Sequence, residues 1–146
     1  MIENIINGIA IKLNQVFGSG YKIYTENIKQ GLKEPCFSIV VLEPEQSAKL
    51  PNRYFRSYPI DVHYFPKSTD KPKAEMYSVA EKLLVELEYI TVKDNDVDNL
   101  CRGSKMRYEI VDGVLHFFVN YDLFVKKQAV VGEYMEELTI NSKAEE

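Results

Sequence analysis

Two histidines, two cysteines and a scatter of carboxylates are the side chains of this sequence that could hold a metal or move protons. His63, His116, Cys36 and Cys101 are of the types zinc takes, imidazole and thiolate. Structural zinc sites place two ligands within a few residues of each other, and these four stand apart. The spacing therefore predicts no metal site, with partly exposed strand histidines and buried, reduced thiols. An acid–base centre would have to be assembled from Asp61, His63, Glu109 and His116, and only a fold that brought them within hydrogen-bond reach could make one. Asp94-Asn95-Asp96-Val97-Asp98-Asn99 starts as a calcium loop does, with alternating carboxylates aimed at one hard cation. It fails at the sixth position, Asn99 in place of glycine, and at the twelfth, Lys105 in place of glutamate, so an acidic solvated connection is expected. Gly18-Ser19-Gly20 with Lys22 could cradle an oxyanion, but it follows a helical pattern instead of opening one, which makes it a helix terminator. There is no Gly-x-Ser-x-Gly elbow, and no acidic residue is followed two positions later by lysine. No catalytic residue, cofactor site or metal ligand is expected.

The elements that must position these side chains are legible in the periodicity. Ile2, Ile5, Ile6, Ile9, Leu13, Val16 and Phe17 recur every three or four residues and predict an amphipathic helix over 2–17. Tyr21 to Tyr24 alternates as a short strand, Lys29 to Pro35 is a polar connection, and Cys36 to Leu42 puts Phe37, Ile39 and Val41 on one face of a second strand. Arg53 to Phe65 is a longer strand, with Tyr54, Tyr58, Ile60, Val62 and Tyr64 on one side and Phe55, Ser57, Asp61 and His63 on the other. Pro59 cannot donate to a ladder, which predicts an edge or a bulge there. Lys71 to Tyr89 returns to helical spacing, with Pro72 in the first turn and Tyr77, Ala80, Leu83, Leu84 and Leu87 on one face. Thr91 to Asn99 reads as an acidic connection.

Asp112-Gly113 then sits between two strand-like runs and tolerates the positive φ that a type I′ turn needs at both central residues. With Val111 opposite Val114, the pairs Ile110–Leu115, Tyr108–Phe117 and Met106–Val119 share a core face. Glu109–His116, Arg107–Phe118 and Lys105–Asn120 share the other. The segment Tyr134 to Ile140 has no decisive pattern. The fold class predicted is α+β, a mostly antiparallel β-sheet with two main helices packed on one face in the order α-β-β-β-α-β-β. One domain over 1–140 and a fraying tail over 141–146 are expected.

Composition narrows the classes of function. A net charge of −4 with basic residues scattered along the chain offers no Lys/Arg stripe for nucleic-acid phosphates. No apolar run approaches the roughly 18 residues of a membrane span, so a cytoplasmic product without membrane contact is expected. Ten tyrosines and seven phenylalanines, many on strands, exceed what one face of a small sheet can hide. Some of these rings should lie at subunit interfaces, where large side chains with polar tips are enriched.

The run from Tyr24 to Phe37 with its Lys33-Glu34-Pro35-Cys36-Phe37, the runs Asn52-Arg53-Tyr54-Phe55-Arg56-Ser57-Tyr58 and Tyr64-Phe65-Pro66-Lys67-Ser68, and the run from Arg102 to Asp122 resemble a family. It is a family of small proteins from tail-morphogenesis clusters of phages and prophages of Gram-positive bacteria, regarded as tail terminators. The resemblance spans roughly residues 1 to 127. It implies a structural protein of the virion tail: a ring, typically of six subunits, at the head-proximal end that caps the tail tube, stops its polymerisation and presents the surface to which the head docks. The partners implied are further copies of the chain, the tail tube protein and a head–tail connector, with DNA passing through the lumen without sequence-specific binding and assembly taking place in host cytoplasm. In that role Arg53, Tyr54, Arg56, Arg107, His116 and Phe118 are the candidates for subunit or tube contacts, because they sit on strands away from the best apolar faces. The alternatives are a head–tail connector or completion protein, and a small-molecule or regulatory binding module, which would need a deep apolar pocket. An enzyme comes last.

Overall fold

In the computed structural model the isoleucine-rich N-terminal segment forms helix α1, Ile2–Phe17, and buries Ile5, Ile9 and Leu13. It ends at Gly18, whose φ of 90° few other residues adopt and whose N–H donates to the Asn14 carbonyl. The structure describes the backbone of residues 1–26, 31–129 and 136–141, and side chains as far as residue 126. The first residues of the Lys29 to Pro35 connection lie outside these, as do Tyr134 and residues 142–146 of the expected tail.

Strands β1 (Lys22–Tyr24), β2 (Cys36–Val41), β3 (Glu45–Leu50) and β4 (Arg53–Phe65) follow α1; after α2 (Pro72–Glu86) come β5 (Tyr89–Asp94), β6 (Val97–Val111), β7 (Val114–Ala129) and β8 (Glu136–Asn141). The class is α+β, as the periodicity indicates, and the order contains three strands that the sequence pattern did not show. The sheet runs β1-β2-β4-β7-β6-β5, with β3 on β4 and β8 on β7, and every pairing but β1 with β2 is antiparallel. Residues of both helices join Phe37, Ile60, Val62, Tyr64, Leu115, Phe117 and Tyr121 in one buried cluster. Both helices thus cover the same face.

Three element assignments need correction. First, β4 is a central strand, not an edge: it pairs with β2 through residues 60–65, with β3 through 53–57, and with β7 along its other side. Pro59 falls where β2 gives way to β3; its carbonyl accepts from the Leu42 N–H at 2.9 Å, and its missing N–H removes only the return bond to Leu42, just past the end of β2. Second, Thr91 to Asn99 is not a connection but a hairpin of β5 and β6, turned at Asn95 and Asp96 with φ of 50° and 64°. Asn and Asp tolerate that left-handed region as glycine does, and the calcium-like spacing is the chemistry of this turn. Third, the second helix stops at Glu86, since Tyr89 opens β5, and it buries Met76, Val79, Ala80 and Leu83 while Tyr77 is exposed.

The β6–β7 hairpin turns on Asp112 and Gly113, both at positive φ, and its register matches expectation from Val111–Val114 to Arg107–Phe118. Beyond that point it slips by one residue. Lys105, at φ 51°, is the extra residue of a bulge, so Ser104 and not Lys105 pairs with Asn120.

Glu75, in the first turn of α2, ties that helix to β4 and to the loop after it. It accepts from the Tyr64 hydroxyl and, at 2.8 Å in both cases, from the N–H groups of Lys67 and Ser68. Desolvation works to raise its carboxyl, but these donors outweigh it and hold the group below the ordinary value of 4.5. A carboxylate with a depressed folded-state pKa contributes stability that is fully present above the unfolded value and is lost as pH falls through the folded one. Urea midpoints should therefore fall between pH 5 and pH 3 by more in the native chain than in Glu75→Gln, which is expected to be less stable at pH 7 and to lose less on acidification.

Candidate functional site

Side chains on a strand alternate between faces, so the residues of β4 and β7 that do not enter the core line the face the helices leave free. Asp61 and His63 lie there on β4, with His116, Phe118, Asn120 and Asp122 on β7. Directly paired are Asp61 with Phe118 and His63 with His116, which places His116 diagonally across from Asp61.

The three polar side chains meet. His63 Nε2 is 2.9 Å and His116 Nδ1 is 3.1 Å from the same atom, Asp61 Oδ2. The two imidazole rings lie with centroids 4.3 Å apart at 65°. Asp61 is only 6% exposed, although it lies on the face without helices. Its second oxygen, Oδ1, is buried and has no hydrogen-bond partner among the described residues. Burial works to raise the Asp61 carboxyl, but the hydrogen bonds from His63 and His116 and their nearby charge outweigh it and hold the group below its ordinary range. A carboxylate flanked by two imidazoles can bind positive charge, as protons on the rings or as a cation between them.

The set extends outward as a stack. The Phe118 ring lies nearly parallel to His116, 16° between planes, and the Arg107 guanidinium sits 4.0 Å from the Phe118 centroid, a close cation–π contact. Arg107, His116 and Phe118 are thus brought together. The other three interface candidates are not part of this group: Arg53 shares the face but lies at the far end of β4, opposite Lys126. Tyr54 and Arg56 turn to the opposite side, across from Val125 and Leu123, and Arg56 Nε donates to Gln46 Oε1 at 2.5 Å. Of the four residues from which an acid–base centre could be built, three meet. Glu109 pairs with His116 on β6 but is exposed and takes no part in the hydrogen-bonded set among the described residues.

Sequence reasoning placed Asp61 with His63 on one strand face and His116 on the outer side of its hairpin. It missed their meeting. The link is the β4–β7 pairing, which joins residues more than fifty apart, and no local spacing encodes it. The two cysteines lie apart from this set; both are buried, and burial pushes the Cys36 thiol up to about 11 and the Cys101 thiol up to about 12.

Elsewhere, a cavity of about 300 Å³ opens between α1 and β5, lined by Gly8, Ile11, Lys12 and Lys93 among others. It is an open groove with charged walls, unlike the deep apolar pocket that a small-molecule module would need.

Residues 4–133 match a family model described as Phage tail terminator protein. No curated protein matches the chain.

Proposed function

The chain belongs to the phage tail terminator family, and from that membership we propose that it forms a ring on the end of the tail tube, stops the tube's growth and offers the head its docking surface. The family match over residues 4–133 carries this reading. The family is a structural one, and its members act with tail and head components of the virion. The finer role proposed for this chain is structural also: the head-proximal end of the tail, a ring of six copies, assembly in host cytoplasm, and contacts to the tube protein and a connector.

Two features of the molecule support it. The sheet face opposite the helices carries Phe55 and Phe124, packed edge to face with centroids 5.1 Å apart, and the Arg107–Phe118–His116 stack. Half-buried aromatics with arginine are the composition of protein interfaces. Charge also fits a conduit for DNA. Six copies at −4 give 6 × −4 = −24, and a lumen of that sign repels phosphate and lets DNA pass without trapping it.

Arg107, Phe118 and His116, with Arg53, Tyr54 and Arg56 as a second group, are proposed as contacts to neighbouring subunits or to the tube. Single substitutions Arg107→Glu and Phe118→Ala are expected to weaken assembly by about 2 kcal/mol or more, the scale of a central interface residue. Light scattering after size exclusion, across a concentration series and with or without the cognate tube protein, reads this directly. A hexamer, or a monomer that forms rings when tube is present, is the expected result. Intact assembly after substitution at all six positions would remove the assignment, and a monomer indifferent to tube at every concentration would remove the ring.

A further inference from the structure

We propose that Asp61, His63 and His116 form a binding site for one transition-metal cation of the zinc class, on the sheet face that the helices leave free. The inference goes beyond the terminator role and does not rest on it, although it shares His116 with the proposed contact residues. One ligand atom from each of the three residues lies within 4.8 Å of the other two, and His63 Nε2 and His116 Nδ1 stand 2.9 and 3.1 Å from Asp61 Oδ2. Around a tetrahedral zinc, with bonds of roughly 2.0–2.2 Å to nitrogen and oxygen, neighbouring ligand atoms stand about 3.3 Å apart. Both nitrogen–oxygen separations lie within a few tenths of an ångström of that spacing.

The way the ring nitrogens converge favours a cation over a purely hydrogen-bonded cluster. A carboxylate that serves only as an acceptor can divide two donors between its two oxygens, whereas here both imidazoles aim at Oδ2 while Oδ1 stays buried and unpartnered. Such an orphaned oxygen is costly in a residue this buried. A cation at the focus uses both nitrogens and Oδ2 as donors, and it draws Oδ1 into its field. The ligand set selects the metal: two imidazoles and a carboxylate suit zinc, cobalt, nickel or iron, while calcium and magnesium take oxygen ligands. The histidine side chains are each about a fifth exposed, 23% and 22%, so an ion can enter from solvent and water can complete the shell. A metal here would link β4 and β7, the two central strands.

The test uses the tag-free full-length chain, freed of metal with chelator and titrated with zinc chloride by calorimetry and with cobalt chloride by visible absorption. The expected result is one equivalent of either ion per chain, visible bands of a nitrogen- and oxygen-ligated cobalt centre, and a zinc-dependent rise in thermal midpoint. Magnesium should neither bind nor compete. His63→Gln, His116→Gln and Asp61→Asn should each weaken zinc binding by about tenfold or more, the scale on which even outer-shell changes act. Circular dichroism establishes that each variant is folded, and the native-chain titrations decide even if one is not. Absence of saturable zinc and cobalt uptake by the native chain, or uptake unchanged in folded His63→Gln and His116→Gln, overturns the site.

Discussion

Phe117→Ala is expected to lower the unfolding free energy by about 3–5 kcal/mol, the cost of removing a buried phenylalanine and leaving the cavity that its neighbours fill only in part. Phe117 is fully buried on β7, paired with Val62 on one side and Tyr108 on the other, at the centre of the layer between sheet and helices. It has neighbours on both flanking strands, so the loss is not confined to one contact. Phe118, the next residue, points to the other face and is only half-buried. Phe118→Ala should therefore cost clearly less in stability while being the substitution that weakens assembly. Denaturant unfolding of both variants checks the contrast; similar losses for the two would mean that the free face is packed as a core.

Gly103→Ala should be the second large effect, about 1–3 kcal/mol of overpacking. A Cβ built at Gly103 would stand 2.7 Å from Val119 Cγ2 and 2.9 Å from the Leu87 carbonyl oxygen. The methyl of Val119 can yield, but Leu87 is the C-cap of α2 and its carbonyl already accepts from the buried Tyr121 hydroxyl at 2.6 Å. The Gly103 N–H donates to the Glu88 carbonyl at 2.6 Å, so β6 cannot retreat without breaking that bond. Gly20→Ala makes the control, since nothing lies within 4 Å of a Cβ there. A thermal midpoint that falls for the first and holds for the second is the expected pattern.

How far the fold could be read from residues depended on how local the determining interactions are. The Asp112-Gly113 turn is local, and it fixed five pairs of the β6–β7 hairpin. The same chemistry at Asn95 and Asp96 was hidden because Asp94 to Asn99 lacks flanking apolar alternation: Val97 and Leu100 are exposed, and only Ile90 and Val92 on the incoming strand enter the core. Strand β3 is exposed along its whole length, so no hydrophobic period could announce it. The bulge at Lys105 is a backbone event, a positive φ in a residue with no strong preference for it, and its effect on register is visible only in the ladder. The cluster of Asp61, His63 and His116 was the least legible part. Each residue sat on the face the alternation assigned it, yet their meeting required β4 and β7 to be neighbours.

The proposed role, ending tail-tube growth, is tested by letting the cognate tube protein polymerise with and without this chain and measuring tube lengths by electron microscopy. A ring at one end of each tube, with lengths that stop increasing once the chain is added, is the predicted result. Tubes that keep elongating at the same rate with no added density at either end would contradict it.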